Sequence, residues 1–391
     1  MKGCEDLKID KNRLFITAFI ADIHFGALKS EDLFAQLQKR FLGVIAKNHI
    51  DMIVFGGDIF HSIITMNYST SHYVLMFMER VLDICVKNKV KFVRVIQGTM
   101  SHDNNQLNNF KIYENRTDVD FKIFRTVGEE TLPGANMKIL YVPEEYMTNP
   151  EEYYSSYLSK YKEYDMIFGH GMFQEVSYTA KKQESEITMS KAPVFNSKIF
   201  INTCKGPIYF GHIHTRTDIK EHIHYPGSFS RFRHGEEDDK GWYLSIYDKV
   251  TGKYIHQFIK NTLAEKYTTI TAIVENDMDP TTITAAVQDL LNKDEHVMIK
   301  LIIKDNVECS YFLAYMNNIF QSNKDVKIKV QNEFEFRQEL MVDEKVNEIM
   351  DKYSFIKDPG FTHEEKIQKF IKIKKGRDVP IEVITDIINK K

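Results

Sequence analysis

The chain has 391 residues, enough for two or three domains. Its 43% hydrophobic and 27% charged residues exclude a disordered chain, and no run of about 18 uncharged apolar residues is present to span a membrane. A net charge of −3 does not by itself announce a nucleic-acid binder, although a local basic groove or bound cations can bring such a protein onto DNA.

Met1 to Lys11 mixes Lys, Asp and Glu before any apolar stretch. That is unlike a secretory signal, and the expected location is the cytoplasm. The four cysteines, Cys4, Cys85, Cys204 and Cys309, form no C-x-x-C pair and read as buried thiols of a reducing compartment.

Residues 14–24 (LFITAFIADIH) form an apolar, β-branched run that ends in Asp22 and His24. Helical periodicity follows over Glu31–Lys47, then a buried strand, DMIVFGGD (51–58). An amphipathic stretch, Ser71–Lys89, leads into a third strand at 90–98. Strand and helix alternating at this spacing predict an α/β sheet, and such sheets bind ligands beyond the carboxyl ends of their strands. Further strands are expected at 121–125, 137–142, 164–168, 207–210, 241–247 and 253–259. With fewer helices in this half, the expected architecture is an α+β sandwich of two packed mixed sheets flanked by helices.

The first domain is expected to close near residue 265. Residues 266–335 read as a separate βαβαβ unit whose first helix opens at Pro280, where a missing N–H costs nothing. The remainder, 336–391, reads as a helical tail. Residues 341–356 carry one apolar face, Asp358-Pro359-Gly360 is a turn, and Thr362 with Glu365 makes a capping box. On amphipathicity alone, folding back on the body is favoured over docking on a partner.

Five clusters of metal-competent side chains occur along the chain: Asp22-Ile-His24; Gly56-Gly57-Asp58; Ser101-His102-Asp103; Gly169-His170; and Gly211-His212-Ile213-His214. Singly they say little. A chain with 14 histidines should hold about 0.5 His-x-His pairs by chance, and a second pair, His222 and His224, reads as one face of a strand. Chance does not, however, place such clusters repeatedly at the ends of apolar strands. Two Asp and four His suit a binuclear site of Mn²⁺, Fe²⁺ or Zn²⁺, which can clamp a phosphate.

This set resembles the signature of the calcineurin-like metallophosphoesterases: D-x-H, G-D, G-N-H-D/E, H and G-H-x-H. The resemblance covers about residues 14–260. Within the superfamily, GGDIFH (56–61), FGHGMF (168–173), GHIHTR (211–216) and YPGS (225–228) are most similar to the SbcD-type nucleases. These are the nuclease subunits of a double-strand-break repair and recombination complex built with an SMC-like ATPase.

The resemblance implies that Asp22, His24, Asp58 and His214 hold one divalent cation and Asp58, His170 and His212 a second. Mn²⁺ is the expected ion, with Mg²⁺ or Fe²⁺ as alternatives. It implies His102 beside the leaving oxygen and Asp103 as the carboxylate that orients it. It makes the small unit a DNA-capping domain and reverses the reading of the tail, which would grip the SbcC-type ATPase. Double-stranded DNA and a second copy of the chain are the other implied partners.

One departure stands out. The family's G-N-H-D is here Gly98-Thr-Met-Ser-His-Asp103, two residues longer and without its metal-binding Asn. Ser101 takes that place if the register is anchored on His102, with Thr99 or Asn104 as displaced substitutes. A hydroxyl is the poorer ligand, so the second cation is expected to bind more weakly. The altered loop and the Lys-, Ile- and Asn-rich composition suit a phage-encoded copy acting in the host cytoplasm.

The expected function is therefore a Mn²⁺-dependent DNA exonuclease and endonuclease working through a two-metal-activated hydroxide. Its rivals are a phosphatase of a smaller phosphoester and a weakly catalytic scaffold for the ATPase. Protein phosphatases of the superfamily carry an Arg soon after the G-D carboxylate, whereas this chain reads Asp58-Ile-Phe-His-Ser.

Overall fold

The computed structural model describes residues 13–63, 68–147, 149–159, 162–176, 193–275, 278–293, 295–303, 310–320, 322–332, 354–356 and 360–388. The first apolar run becomes β1 (Leu14–Ile20), and its alternation already sorts the core: Phe15 and Phe19 enter one cluster, Ala18 and Ile20 another. Strands β2 (Met52–Phe55), β3 (Phe92–Ile96) and β4 (Asp120–Phe124) add in parallel, with Thr17 opposite Met52, Met52 opposite Phe92 and Phe92 opposite Asp120.

The second sheet begins with β5 (Gly128–Leu132), antiparallel to β6 (Met137–Val142). Strands β7 (Met166–His170) and β10 (Ile208–Gly211) continue parallel to β6, past the two-stranded pair β8 (Met172–Phe173) and β9 (Val194–Phe195). The hairpin β11 (Thr217–Ile219) and β12 (Ile223–Tyr225) closes its far edge. The chain then returns to the first sheet as β13 (Gly241–Asp248), antiparallel beside β1, and β14 (Tyr254–Lys260), antiparallel to β13 at the edge.

The result is the expected sandwich. Inward residues of both sheets (Phe19, Val54, Ile96, Ile139, Phe168, Tyr209) share one core. The outer face of the first sheet is covered by α1 (Ser30–Leu37), which continues through a π turn at Gln38–Leu42, and by α2 (Tyr68–Asn88). The outer face of the second packs Leu140, Ile167 and Phe210 against Tyr154 of α3 (Pro150–Tyr154) and Phe200 of α4 (Ser197–Thr203).

Three features depart from the sequence reading. The first two strands stop at Ile20 and Phe55, before Asp22, His24 and Asp58, because those residues leave extended geometry. β5 (GEETL) escaped notice because an edge strand carries charge on its outer face. A 3₁₀ helix at Asn104–Asn115 is Asn-rich and offers only Leu107, Phe110 and Tyr113 to the core.

The chain divides into two compact units, Met1–Thr268 with Leu290–Val297, and Thr269–Asp289 with Met298–Lys391. The strands β15 (Lys266–Ile273), β16 (Glu295–Ile303) and β17 (Val326–Asn332) form a three-stranded sheet with β16 central, interleaved in sequence by α5 (Thr281–Leu291) and α6 (Ser310–Phe320). Val297, Ile299, Leu301 and Ile303 alternate into its core.

Further on, α7 (His363–Lys375) is held by the Thr362–Glu365 capping box and ended by Gly376 at φ 64°, and α8 (Ile381–Ile388) follows. The apolar face expected at 341–356 lies outside the described residues apart from 354–356. No helix among the described residues is long and apolar enough to cross a membrane.

A charged pair lies within the sandwich. Arg94 of β3 is fully buried and donates from Nε to Glu130 Oε1 of β5 at 2.6 Å and from Nη2 to Asp120 Oδ2 at 3.1 Å. The pair bridges the two sheets, and Tyr141 donates to the same Glu130 oxygen at 2.8 Å. Removing one partner of a buried pair strands the other. Arg94→Met should therefore cost about 3–5 kcal/mol of stability in denaturant unfolding. A loss below about 1 kcal/mol would show that Tyr141 and Lys122, whose Nζ donates to Glu130 Oε2 at 2.6 Å, satisfy Glu130 alone.

Candidate metal centre

Five strand ends deliver the expected residues, Ser101 excepted, to one place. The chain turns out of extended geometry at Asp22 (φ 50°), His24 (52°), Asp58 (52°) and His212 (99°), four of the nine described non-glycine residues with positive φ. Such conformations cost energy and persist where surrounding contacts impose them. Here the loops hold one another: Asp22 N donates to Gly57 O and His24 N to Asp58 O, each at 3.0 Å.

The gathered side chains are almost dry, with Asp22 and His170 at 0% exposure, His24 at 1% and Asp58 at 2%. His24 Nε2 and His214 Nε2 lie 2.9 Å apart. Asp58 Oδ2 is 2.9 Å from His102 Nδ1, 3.3 Å from His170 Nε2 and 3.9 Å from His24 Nε2. Asp22 accepts the backbone N–H of His212 at 3.0 Å. Ligand atoms of Asp22, His24 and His214 fall within 4.8 Å of one another, as do those of Asp22, Asp58 and His170 and those of Glu144, His170 and His212.

Outer partners aim the imidazoles. His170 Nδ1 is 2.7 Å from the carbonyl of Gly56, which can only accept, so Nδ1 carries the proton and Nε2 faces inward. The Glu236 carboxylate, 3.1 Å from His214 Nδ1, does the same for that ring. His170 Nε2 is buried without a well-oriented hydrogen bond, and so is His24 Nδ1.

Electrostatics point the same way. Burial opposes a charge on Asp58, yet His170 and His102 hold its carboxyl well below the usual range. Burial likewise opposes a charge on His170, but Asp58, Asp22 and Glu144 outweigh it and push the imidazole well above its ordinary value. His24 is held neutral by burial and by His214. The carboxylates thus call for positive charge where inward nitrogens converge, and this donor set fits divalent cations that accept both nitrogen and oxygen.

The loop after β3 departs from expectation. Ser101 is exposed, whereas Thr99 is buried and donates to Asp58, from N to Oδ1 at 2.6 Å and from Oγ1 to Oδ2 at 3.1 Å. Asp103 is not spent on His102. Its two oxygens accept the N–H groups of Gly98, Asp58, Ile59 and Phe60 at 2.8–3.2 Å. Burial and Asp58 push it up to about 7, while those donors favour the ionised form. It acts as a tie between two loops.

Glu144, two residues beyond β6, is a fully buried carboxylate that no motif flagged, since a lone glutamate after a strand has no distinguishing spacing. His224, by contrast, has both ring nitrogens facing protein partners, Asp218 Oδ1 at 2.7 Å and Tyr254 OH at 3.0 Å.

Glycines admit this crowding. A Cβ on Gly57 (φ 92°) would lie 2.3 Å from His170 Nδ1, and one on Gly98 would lie 2.2 Å from Asp58 Oδ1.

No family model matches the chain. A curated relative described as "Putative phosphoesterase 244L", from Invertebrate iridescent virus 6, is 24% identical over 309 residues, covering 77% of this chain and 96% of the relative. Among solved structures, GAP50, the anchor in the inner membrane complex of Plasmodium, has a TM-score of 0.39 at 12% identity, over 65% of this chain and 86% of its own. A dimetal phosphatase from Danio rerio has a TM-score of 0.29 at 9% identity, over 63% and 99%. At those scores the structural likeness decides nothing.

Gly57→Ala combines a left-handed backbone with a collision on His170. It should lower stability by about 1–3 kcal/mol and shift the His170 ring resonances in NMR spectra. Unchanged resonances would mean that the loop relaxes away from the ring.

Proposed function

We propose that the chain is a metal-dependent phosphoester hydrolase, and within that class a Mn²⁺-dependent DNA nuclease subunit of an SbcCD-like complex. The convergence of Asp22, His24, Asp58, His170, His212 and His214 from separate strand ends carries the hydrolase reading. The phosphoesterase named in the viral relative supports it. The DNA substrate rests on the resemblance of GGDIFH, FGHGMF, GHIHTR and YPGS to the SbcD-type nucleases.

Asp22, His24, Asp58 and His214 would hold one cation, and Asp58, His170 and His212 the other. Such ions supply Lewis-acid polarisation of a phosphate and a lowered pKa for an attacking water. Asp58 is the shared anion. His102 is a partly exposed imidazole of the group: although burial opposes it, the hydrogen bond and charge of Asp58 raise its pKa. That keeps a proton on the ring facing the leaving 3′ oxygen. The tail would grip the ATPase through apolar side chains that α7 and α8 leave exposed, Phe370, Val383 and Ile387 among them.

Digestion of end-labelled linear DNA in Mn²⁺, with and without chelator, tests the reading. Chelator-sensitive cleavage is expected. Phosphate release from monoesters alone would favour the smaller-substrate phosphatase, and no hydrolysis at all would favour the scaffold. Asp58→Ala should lose both Mn²⁺ and cleavage while remaining folded. His102→Ala should keep its Mn²⁺ but cleave about 10²–10⁴-fold more slowly. Mn²⁺-dependent cleavage retained by Asp58→Ala would refute the site.

Truncation after Leu340 should spare the nuclease activity of the isolated chain and abolish co-purification with the ATPase. Undiminished capture of the ATPase would move the docking surface elsewhere.

A further inference from the structure

Glu144 is the carboxylate that the sequence pattern did not anticipate. It has 1% exposure, and its backbone N donates to the carbonyl of Gln97 in the β3 loop at 3.2 Å. Its two oxygens are used differently. Oε1 accepts the Tyr146 hydroxyl at 2.9 Å, which fixes the plane of the carboxylate. Oε2 is turned to the histidines, 3.1 Å from His212 Nδ1 and 3.8 Å from His170 Nε2, with Thr99 Oγ1 at 3.5 Å.

His170 donates its Nδ1–H to the carbonyl of Gly56, so Nε2 is the nitrogen turned toward Glu144 and Asp58. Ligand atoms of Glu144, His170 and His212 lie within 4.8 Å of one another, a buried set of one oxygen and two nitrogens that suits a divalent cation.

We propose that Glu144 is a ligand of the second cation, filling with its Oε2 the position that the resemblance gives to an asparagine. The proposal rests on the binuclear reading above and adds to it the missing fourth side chain. Ser101 is not needed, since the altered loop supplies Thr99 to hold Asp58 and leaves the coordinating oxygen to the end of β6.

The exchange has a chemical consequence. An amide contributes a neutral oxygen, whereas Glu144 brings a third carboxylate beside Asp22 and Asp58. The second cation should then bind at least as tightly as the first, and not more weakly as the loop sequence alone suggests. Hard oxygen-preferring ions such as Mn²⁺ and Mg²⁺ gain most from the added charge. Tyr146 supports the ligand from outside, as a hydrogen-bonded partner of a coordinating carboxylate does.

The test is calorimetric titration of the full-length chain with Mn²⁺, read beside the electron paramagnetic resonance of the bound ions. The unmodified chain should take up two ions and show the spectrum of a coupled pair. Glu144→Ala should keep one ion and weaken the other by roughly 10–100-fold, with loss of the coupled spectrum. Glu144→Gln, which retains an oxygen and nearly the same shape, should fall between them and serves where Glu144→Ala fails to fold. Tyr146→Phe should weaken the same ion by a smaller factor.

An unmodified chain that binds no divalent ion overturns the binuclear reading itself. Two ions bound with equal affinity by the unmodified chain, Glu144→Gln and Glu144→Ala overturn the role of Glu144 and leave that reading intact. Weakening of the second ion by Ser101→Ala but not by Glu144→Ala returns the ligand to the loop.

Discussion

Asp22 and Asp58 lie together almost without solvent, and carboxylates so placed must be met by positive charge or by hydrogen-bond donors. Much of the local architecture answers that demand. His212 N and Thr99 N donate to the two carboxylates, and His102 and His170 face Asp58. The outer partners, Gly56 O and Glu236, then orient the rings so that nitrogens face the acids. A polar group of this density is stable in a protein interior only where every member is compensated.

The sandwich makes such a gathering affordable. Both sheets run their parallel strands to the same edge, so apolar side chains fill the core while polar ends collect beyond it. The Arg94–Glu130 pair ties the sheets from inside. Rigid strands fix where each loop starts, and short ties such as those accepted by Asp103 fix where it goes. Strain at Asp22, His24, Asp58 and His212 is therefore held by a hydrogen bond from the backbone N–H of each.

The loop between Gly98 and Asp103 shows that position in a motif does not decide which side chain meets the site. Within it Thr99 donates to Asp58, Ser101 lies exposed and His102 stays against the same carboxylate. Meanwhile Glu144 presents an oxygen to His170 and His212 from another strand. Chemistry depends on which atoms converge, and the fold can draw them from different segments.

The sequence by itself determined the long apolar strands, because a run of apolar residues bounded by polar breaks is a local signal, and it marked their ends through the breaks at Asp22, Asp58, His170 and His212. Those same breaks made the candidate residues legible, but their ends belong to two sheets, Asp22, His24 and Asp58 to the first and His170, His212 and His214 to the second, and only the packing of the sandwich brings the two groups together. The capping box at Thr362 and the small βαβαβ unit were equally local signals. What the sequence could not decide was which neighbour each buried polar atom meets. Asp103 looks like a companion of His102, yet backbone amides from two loops claim its oxygens. Glu144 looks like any glutamate after a strand, yet packing leaves it dry against two histidines. Arg94 looks like a surface charge on a strand, yet it lies between sheets because Glu130 comes from the other one. Each of these contacts joins residues that only the packing of one sheet, or one loop, on another brings together, and no period in the chain encodes that distance.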